Sequence, residues 1–452
     1  MAKTGGILEQ WRERAWERRL LLAAFLAVAA GYALVLLVRL GETGSFFRGD
    51  FLPLAAFGIS LVAVHAVFFF ADFRGDPVLL TAALLLSGLG VLEQFRLGTL
   101  HVTRAGGWAA FSFPIGIAAM VAIALLFGGG RHRMLEKISM LCGIAAIVVI
   151  GVTIAAGHRF RGGTYAAGNL TPTEIIKVLL PVFLAGFFAA YRSDLAQTGL
   201  PGVPAPSTPT VLALGFFWGV PMALLFIQHD LGMIMLLNAA FLVLLSLASR
   251  RFGYLFVGIL VATAAAFAAL RWIPHVQARI ETWAEPFHDT SGKSFQIMHA
   301  LTAFSSGGLW GSGLGAGHPQ AIPIASSDFV YAALGEEIGY AGCGLMIVLY
   351  LIFFYRGFRI ADSLKDPFAQ FLAAGLISIV AFQTLLNIGG VTKALPLTGI
   401  TLPFVSHGGS SLVTSFAALG LLLALSEGDG NTRAKNVASE KGNKSKKKTA
   451  AD

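Results

Sequence analysis

The chain has 452 residues, of which 56% are hydrophobic and 13% are charged. Soluble domains typically carry about 25% charged residues, so this composition excludes an ordinary soluble protein and predicts an integral membrane protein. The 33 basic and 24 acidic side chains give a net charge of +9, but no nucleic-acid-binding motif accompanies that charge, so we expect no nucleic-acid partner.

About twelve apolar segments are long enough to cross a bilayer as α-helices, by the rule of ~20 residues per span. In chain order they lie at roughly 20–38, 51–71, 77–97, 108–127, 135–156, 174–191, 209–228, 231–249, 253–272, 328–355, 366–389 and 407–426. The sequence therefore predicts an all-α polytopic membrane protein with about twelve spans.

Basic side chains mark one side of this topology. They cluster at 12–19, 131–137, 250–251, 356–359 and 444–448. The positive-inside rule places that side in the cytoplasm, so we expect both termini there and the long connections 273–327 and 390–410 outside. Residues 427–452 are polar and rich in lysine, which predicts a disordered basic cytoplasmic tail.

Two ionisable residues, Glu174 and Lys177, stand at the start of a predicted helix in the sequence Thr-Pro-Thr-Glu-Ile-Ile-Lys. A spacing of three residues puts them on one helix face. Charged side chains inside a membrane are typically functional, which predicts a working site. A helix-end ion pair that only anchors the segment fits the same pattern.

Asp328 opens the tenth predicted span on the outer side, where the helix macrodipole stabilises a carboxylate. It is either a functional carboxylate or an N-cap with no other role. Glu336 and Glu337 follow eight and nine residues later, too deep for a solvated surface. We expect them to pair with cations inside the bundle.

Two further segments combine polar residues with chain turns. Between residues 402 and 411 a proline and a glycine pair interrupt an apolar stretch, which lets the backbone approach a neighbouring group closely. His407 in this segment is either a proton carrier or a hydrogen-bonded structural residue. The corner at Gln228, His229 and Asp230 is better explained as a tight polar turn than as a site.

These features, in this order and spacing, resemble the SEDS family (shape, elongation, division and sporulation), which contains FtsW and RodA. The resemblance runs from about Asp76 to Ser426 and is strongest around Asp328 and at 307–315, 387–389 and 395–411. It implies a ten-helix SEDS-like membrane core at 73–426 with a large outer loop at 273–327. Residues 1–72 are then a two-helix membrane extension.

The resemblance also implies a function. SEDS proteins are multi-pass glycosyltransferases of the bacterial inner (cytoplasmic) membrane that polymerise lipid II, an undecaprenyl-pyrophosphate-linked disaccharide peptide, into peptidoglycan glycan strands. They act during cell elongation or division with a class B penicillin-binding protein and other proteins of those complexes. A lipid II flippase or another transporter of lipid-linked substrates is the alternative, and a purely structural scaffold is the third interpretation.

Individual residues carry over from the family's motifs. Asp328 matches the essential acidic residue of the family's Thr-Asp-Phe motif, written Ser-Asp-Phe here. Glu174 and Lys177 match the motif Pro-Ser-Glu-x-x-Lys, with Thr173 in place of serine, so these three are the expected catalytic residues. The expected substrate-binding residues, all in the two long outer connections, are Arg279, Gln296, Gly308, Lys393, Ser406, His407 and Ser410.

The implied reaction needs a base and a cation. An acceptor sugar hydroxyl must lose its proton while a lipid-linked pyrophosphate leaves. We expect Asp328 to be the base, and Lys177, Arg279 or a bound divalent cation (Mg²⁺ or Mn²⁺) to stabilise the leaving group. A single displacement predicts inversion at the anomeric carbon, by analogy with inverting glycosidases.

Overall fold

A computed structural model of the chain describes residues 10–100, 111–156, 158–160, 163–165, 171–197, 206–289, 292 and 294–427. The tail predicted to be disordered at 427–452 lies, apart from Glu427, outside these residues.

The structure is built almost entirely of α-helices. Numbered in chain order they are α1 (Ala15–Thr43), α2 (Leu52–Phe70), α3 (Pro77–Arg96), α4 (Ser112–Phe127), α5 (Arg133–Lys137), α6 (Ser139–Ala156), α7 (Ile176–Leu195), α8 (Thr208–Ile227), α9 (Leu231–Ser249), α10 (Phe252–Trp272), α11 (Pro274–Ala284), α12 (Phe295–Gly307), α13 (Val330–Ser363), α14 (Pro367–Val391) and α15 (Gly409–Glu427). Short 3₁₀ helices lie at Arg48–Phe51, Pro172–Ile175 and Pro319–Ala321, and strands β1 (His158–Phe160) and β2 (Gly163–Tyr165) pair antiparallel.

Within the ranges given above, eleven helices are apolar and at least 18 residues long, which is enough to cross a membrane. Helix α4 is a shorter apolar helix. Together these elements agree with the predicted number of spans, so the all-α polytopic membrane fold is confirmed. The β1–β2 pair, with three residues in each strand, is a small addition after α6.

Helix α14 is the centre of the bundle because other helices cover its apolar surface. It packs against α7, α9 and α13, and 78% of its most apolar segment is buried. Helix α10 is the opposite case: none of its residues is buried, and it packs mainly on α9. An apolar helix with so little covered surface is stable only in lipid, so α10 lies at the periphery of the bundle.

Helices α1 and α2 pack against α3. The ring of Tyr32 on α1 stacks on Phe95 of α3 with 4.7 Å between the ring centroids. Leu314, from the outer loop, packs against the same aromatic cluster. Helix α1 therefore contacts both α3 and the outer loop.

Helix α13 is broken at Gly339, where φ is +67° and ψ is −175°. The N–H groups of Tyr340 and Ala341 donate to the carbonyl oxygens of Gly308 and Leu309, at 2.9 and 3.0 Å, so the break is joined to the outer loop. A side chain at position 339 would need a backbone conformation that only glycine adopts readily. The span predicted at 328–355 therefore consists of two pieces, and the longer piece begins after the break.

The piece before the break carries the two glutamates. Glu337 pairs with Arg96 of α3 at 3.2 Å, as predicted, and its other carboxylate oxygen accepts a hydrogen bond from the Gly315 N–H at 3.0 Å. Glu336 differs from the prediction, because it accepts a hydrogen bond from the His318 N–H at 3.1 Å. Both carboxylates hold the outer loop against the helix.

Candidate active site

Asp328 lies at the end of the outer loop, two residues ahead of α13. The Ser327 hydroxyl donates to its Oδ1 at 2.9 Å, and the Asn387 amide donates to its backbone carbonyl at 2.9 Å. The cap position of α13 is Phe329, and no side chain caps that helix end. Asp328 is therefore not the N-cap that the sequence leaves as an alternative, and its carboxylate is available for another role.

The Asp328 carboxylate is partly accessible yet closely surrounded by protein. Burial raises its pKa from the usual 3.8 to about 6, against the lowering effects of the Ser327 hydrogen bond and the Arg279 charge, and Glu174 raises it further. A carboxylate with this pKa is mostly ionised at neutral pH. Its pKa is also close to the operating pH, which is what a general base needs.

Glu174 and Lys177 form an ion pair with 2.5 Å between Oε2 and Nζ. Glu174 lies in the 3₁₀ helix that leads into α7, and Lys177 lies in the first turn of α7, where it is 5% exposed. The negative charge of Glu174 raises the pKa of the Asp328 carboxylate. The pair therefore belongs to the surroundings of Asp328, and its part in catalysis stays a prediction.

Asp230 is a further carboxylate of this site, and it is absent from the sequence-based candidates. It caps α9, since its Oδ1 accepts a hydrogen bond from the Met233 N–H at 3.0 Å. Burial raises the pKa of Asp230, Glu174 raises it further, and Arg279 lowers it. Asp230 therefore lies near the same two charges that act on Asp328.

Arg279 reaches the site from α11 in the outer loop. Its Nη1 donates to the carbonyl oxygens of Leu397 and Thr398, at 3.3 and 3.0 Å. Gly232, in the first turn of α9, approaches the same Thr398 carbonyl so closely that an added Cβ would lie 2.9 Å from the oxygen. Helices α9 and α11 and the segment 395–411 therefore meet at one point.

The segment 395–411 holds the backbone that carries Asp328. The Ser406 hydroxyl donates to the Ser327 carbonyl oxygen at 2.6 Å. The His407 N–H donates to the Ser326 carbonyl oxygen at 2.7 Å. Ser406 and His407, both predicted to bind substrate, thus make backbone contacts immediately before Asp328.

The same segment is also tied to the start of α7. The Ser410 hydroxyl oxygen accepts a hydrogen bond from the Thr171 N–H at 3.1 Å. Burial lowers the pKa of His407, so its imidazole is neutral at pH 7. Whether His407 carries a proton or is a structural residue stays a prediction.

The contacts of three other predicted binding residues do not join them to this cluster. The Lys393 carbonyl accepts a hydrogen bond from Trp283 Nε1 at 3.0 Å. Gly308 is the C-cap residue of α12, and its carbonyl oxygen accepts a hydrogen bond from the Tyr340 N–H at the break in α13. Gln296 is the second residue of α12 and is partly exposed. Substrate binding by these residues stays a prediction.

The described side chains at this site do not form a complete metal-binding site on their own. In the part of the chain that the structure describes, no group of three or more His, Cys, Asp or Glu side chains converges on a point. Mg²⁺ at phosphate sites is usually held by one or two carboxylates together with the substrate's phosphates. A divalent cation that arrives with the substrate therefore stays a prediction, and the chemistry below is derived from side chains.

Comparison with known proteins places the chain near one family. The family model of FtsW/RodA/SpoVE cell cycle proteins matches residues 78–430. The peptidoglycan glycosyltransferase RodA of Mycobacterium tuberculosis is 32% identical over 429 residues, which cover 90% of each protein.

Two solved structures share the fold. One, described as the structural coordination of polymerization and crosslinking by a peptidoglycan synthase complex, contains a chain with 21% identity and a TM-score of 0.63, and the match covers 79% of this chain and 98% of that one. The crystal structure of the rod shape determining protein RodA of Thermus thermophilus has 21% identity and a TM-score of 0.55, with 78% and 96% covered.

Proposed function

The chain belongs to the FtsW/RodA/SpoVE family, and from that premise we propose that it is a membrane glycosyltransferase that polymerises lipid II into peptidoglycan glycan strands. One observation carries the assignment of its site. Asp328 is a carboxylate that caps no helix, has a pKa raised to about 6, and lies near Arg279 and Glu174.

Asp328 is the general base in this proposal. The acceptor sugar hydroxyl must approach to within about 3 Å of the carboxylate and lose its proton as the new glycosidic bond forms. Hydrogen bonds from Ser327 and Asn387 fix the carboxylate and its backbone before substrate arrives. Such preorganisation removes the cost of orienting the base during the reaction.

Lys177 and Arg279 stabilise the leaving pyrophosphate in this proposal. An ammonium has three N–H donors and a guanidinium has five, so each can bind phosphate oxygen while keeping its present protein partner. Glu174 holds Lys177 in place, and carbonyl oxygens of 397–398 hold Arg279. Attack from the Asp328 side inverts the anomeric carbon, since no covalent intermediate is involved.

The orientation of the chain follows from the same proposal. Lipid-linked disaccharide is polymerised outside the cytoplasm, so the outer loop with Asp328 faces outward and both termini are cytoplasmic. The basic clusters at the other ends of the helices support this orientation through the positive-inside rule. The membrane is the inner membrane of a bacterium.

A class B penicillin-binding protein is the proposed partner. Polymerisation makes uncrosslinked strands, and the described part of this chain is a helical membrane bundle with no domain suited to transpeptidation. The similarity in fold to a chain of a peptidoglycan synthase complex supports a partner that supplies crosslinking. Other proteins of the elongation or division machinery are expected in the same complex.

The decisive experiment uses the purified full-length chain in lipid vesicles supplied with labelled lipid II. Glycan polymer length and lipid II translocation are measured in the same vesicles, with and without the class B partner. We expect polymer, and more of it with the partner. Translocation without polymer under both conditions would establish the flippase alternative and overturn the proposal.

A further inference from the structure

A cavity of about 630 Å³ lies between the C-terminal ends of α7 and α9. Its volume is within the range of about 300–1,000 Å³ that small-molecule sites occupy. Both helices begin at the candidate active site, with Glu174 ahead of one and Asp230 at the cap of the other. At ~1.5 Å per residue each helix spans about 30 Å, so this cavity lies at the opposite membrane face.

The chain opens the cavity by two departures from regular helix. Tyr191, in the last turns of α7, has φ of −104° and ψ of 16°, which bends the end of that helix. Arg250 ends α9 in the left-handed conformation, with φ of +54°. The lining includes small side chains, among them Ala189 and Ala248, which leave space.

Three arginines line the cavity: Arg192, Arg250 and Arg251. In the described residues, no carboxylate forms an ion pair with any of them. Asp194 follows Arg192 by two residues. Its Oδ2 instead accepts hydrogen bonds from the hydroxyl and the N–H of Ser207, at 2.9 and 3.1 Å. The two helix C-termini contribute roughly −0.5 each, so the cavity keeps a net charge of about +2.

This arrangement fits phosphate chemistry. A guanidinium presents paired N–H groups that match two oxygens of a phosphate, and uncompensated positive charge at the edge of a bilayer attracts anions. The surface beside the cavity favours a lipid over a soluble phosphate. Phe252 follows Arg251 directly and is 85% exposed, and Phe256 on the same helix is 74% exposed, so acyl chains can cover the rings while the headgroup reaches the arginines.

We propose that the cavity at the ends of α7 and α9 binds the phosphate headgroup of an anionic phospholipid, at the membrane face opposite the candidate active site. Basic pockets between transmembrane helices on the cytoplasmic side are a known physical solution for such headgroups. The site contains none of the residues assigned to catalysis and does not depend on that assignment.

The test measures lipid retention by the full-length protein in membranes of phosphatidylcholine that contain phosphatidylglycerol. Native mass spectrometry counts bound phosphatidylglycerol for wild type and for the triple variant Arg192→Gln, Arg250→Gln, Arg251→Gln. We expect at least a tenfold weaker affinity in the triple variant and no change for phosphatidylcholine. Glycan polymerisation should be retained, which separates this result from the fate of the proposed enzymatic function.

A matched control removes three positive charges elsewhere on the same predicted face, with Arg12→Gln, Arg19→Gln and Arg133→Gln. All three side chains are exposed and lie outside the cavity. We expect this control to keep phosphatidylglycerol within about twofold of wild type. An equal loss in both triple variants would show diffuse surface attraction and overturn the proposal.

Two further measurements complete the test. Ala190→Trp fills the cavity without changing charge and should weaken phosphatidylglycerol binding as the triple variant does, even if loss of the arginines disturbs folding. Inorganic phosphate is then titrated against the bound lipid. Full displacement at millimolar phosphate, with phosphate retained in place of lipid, would identify a soluble ligand and overturn the lipid assignment.

Discussion

Asn387, on the central helix α14, donates a hydrogen bond to the backbone carbonyl of Asp328 across 2.9 Å. The same amide nitrogen donates to the carbonyl of Ile400 at 2.7 Å. One side chain of a largely enclosed helix therefore positions the candidate base and the segment 395–411 together. The contact also joins the candidate site to the packing of the membrane core.

Asn387→Ala should therefore damage the site without directly touching the carboxylate. The buried Ile400 carbonyl and the partly buried Asp328 carbonyl lose their donor, and an unsatisfied buried carbonyl costs about 1–3 kcal/mol. We expect a lower melting temperature and at least a tenfold lower polymerisation rate, measured on purified protein with lipid II. Ser378→Ala is the control, because Ser378 is buried on the same helix and its hydroxyl has no hydrogen-bond partner. Equal rates for the two variants would contradict this positioning role.

Asp328→Asn should remove polymerisation while leaving the fold intact. The amide keeps the shape and the contact with Ser327 but cannot accept the proton, and loss of a general base typically costs 10²–10⁴-fold in rate. Because the carboxylate caps no helix, we expect normal membrane insertion and normal lipid II binding. Asp362→Asn, an exposed carboxylate at the other end of α13, is the control and should keep wild-type activity. Near wild-type polymerisation by Asp328→Asn would move the base to another carboxylate.

The pH profile should report the Asp328 pKa of about 6. Only the ionised carboxylate is a base, so kcat/KM should rise with pH up to about 6 and then level off. Stability should change in the opposite sense. The folded pKa is above the unfolded value of 3.8, so Asp328 adds stability below about pH 4 that is lost as pH rises through about 6.

This second effect is measurable as a difference between two proteins. The melting temperature of wild type minus that of Asp328→Asn should fall between pH 4.5 and pH 7, by the equivalent of at most about 3 kcal/mol. A difference that rises with pH for Asp328→Asn would mean that the carboxylate is stabilised in its charged form.

Glu174→Ala and Lys177→Ala should each lower polymerisation at least tenfold with membrane insertion unchanged. The exchanged pair Glu174→Lys, Lys177→Glu restores attraction between the two side chains but moves the cation away from its place in the first turn of α7. We therefore expect stability to recover in the exchanged variant and activity to stay low. Full recovery of activity would show that the pair only anchors the helix.

The N-terminal extension should influence the outer loop through Gly31. An added Cβ at this position would lie 2.8 Å from Leu92 and 3.3 Å from Leu314 of the outer loop. Overpacking of this kind costs about 1–3 kcal/mol, so Gly31→Leu should lower the melting temperature and the polymerisation rate. Gly41→Leu, on the same helix but with open space around the added atom, should change neither. If the two leucine variants behave alike, α1 does not influence the candidate site.

The spans could be predicted from the sequence because the length of an apolar run is itself the physical requirement for crossing a bilayer. The break at Gly339 could not. A glycine inside an apolar run fits either a continuous helix or a break. Here hydrogen bonds between the outer loop and the residues around Gly339 stabilise the break. The strands β1 and β2 were missed for a related reason, since three residues are too few to show a periodic pattern.

Some residues of the candidate site could likewise be predicted from the sequence, and others could not. Asp328, Glu174 and Lys177 were found because family motifs mark them, and the structure brings them into one neighbourhood. Asp230 was interpreted as part of a tight turn, and the backbone agrees, since the preceding His229 has φ of +64°. A turn aspartate and a site aspartate look alike in sequence. Only the fold shows that this one lies near other charges, those of Glu174, Lys177 and Arg279.

The order of synthesis gives the contacts of the segment 395–411 a further consequence. Ser406 and His407 bond the backbone just before Asp328, yet they leave the ribosome about 80 residues later. At roughly 5–20 residues per second this is a delay of several seconds, during which the candidate base has no fixed position. The hydrogen bond between the Asp76 N–H and the Ser426 hydroxyl, 350 residues apart, closes only after α15 is made. A growing chain therefore enters the membrane without a finished candidate site, and we expect no polymerisation until α15 is in place.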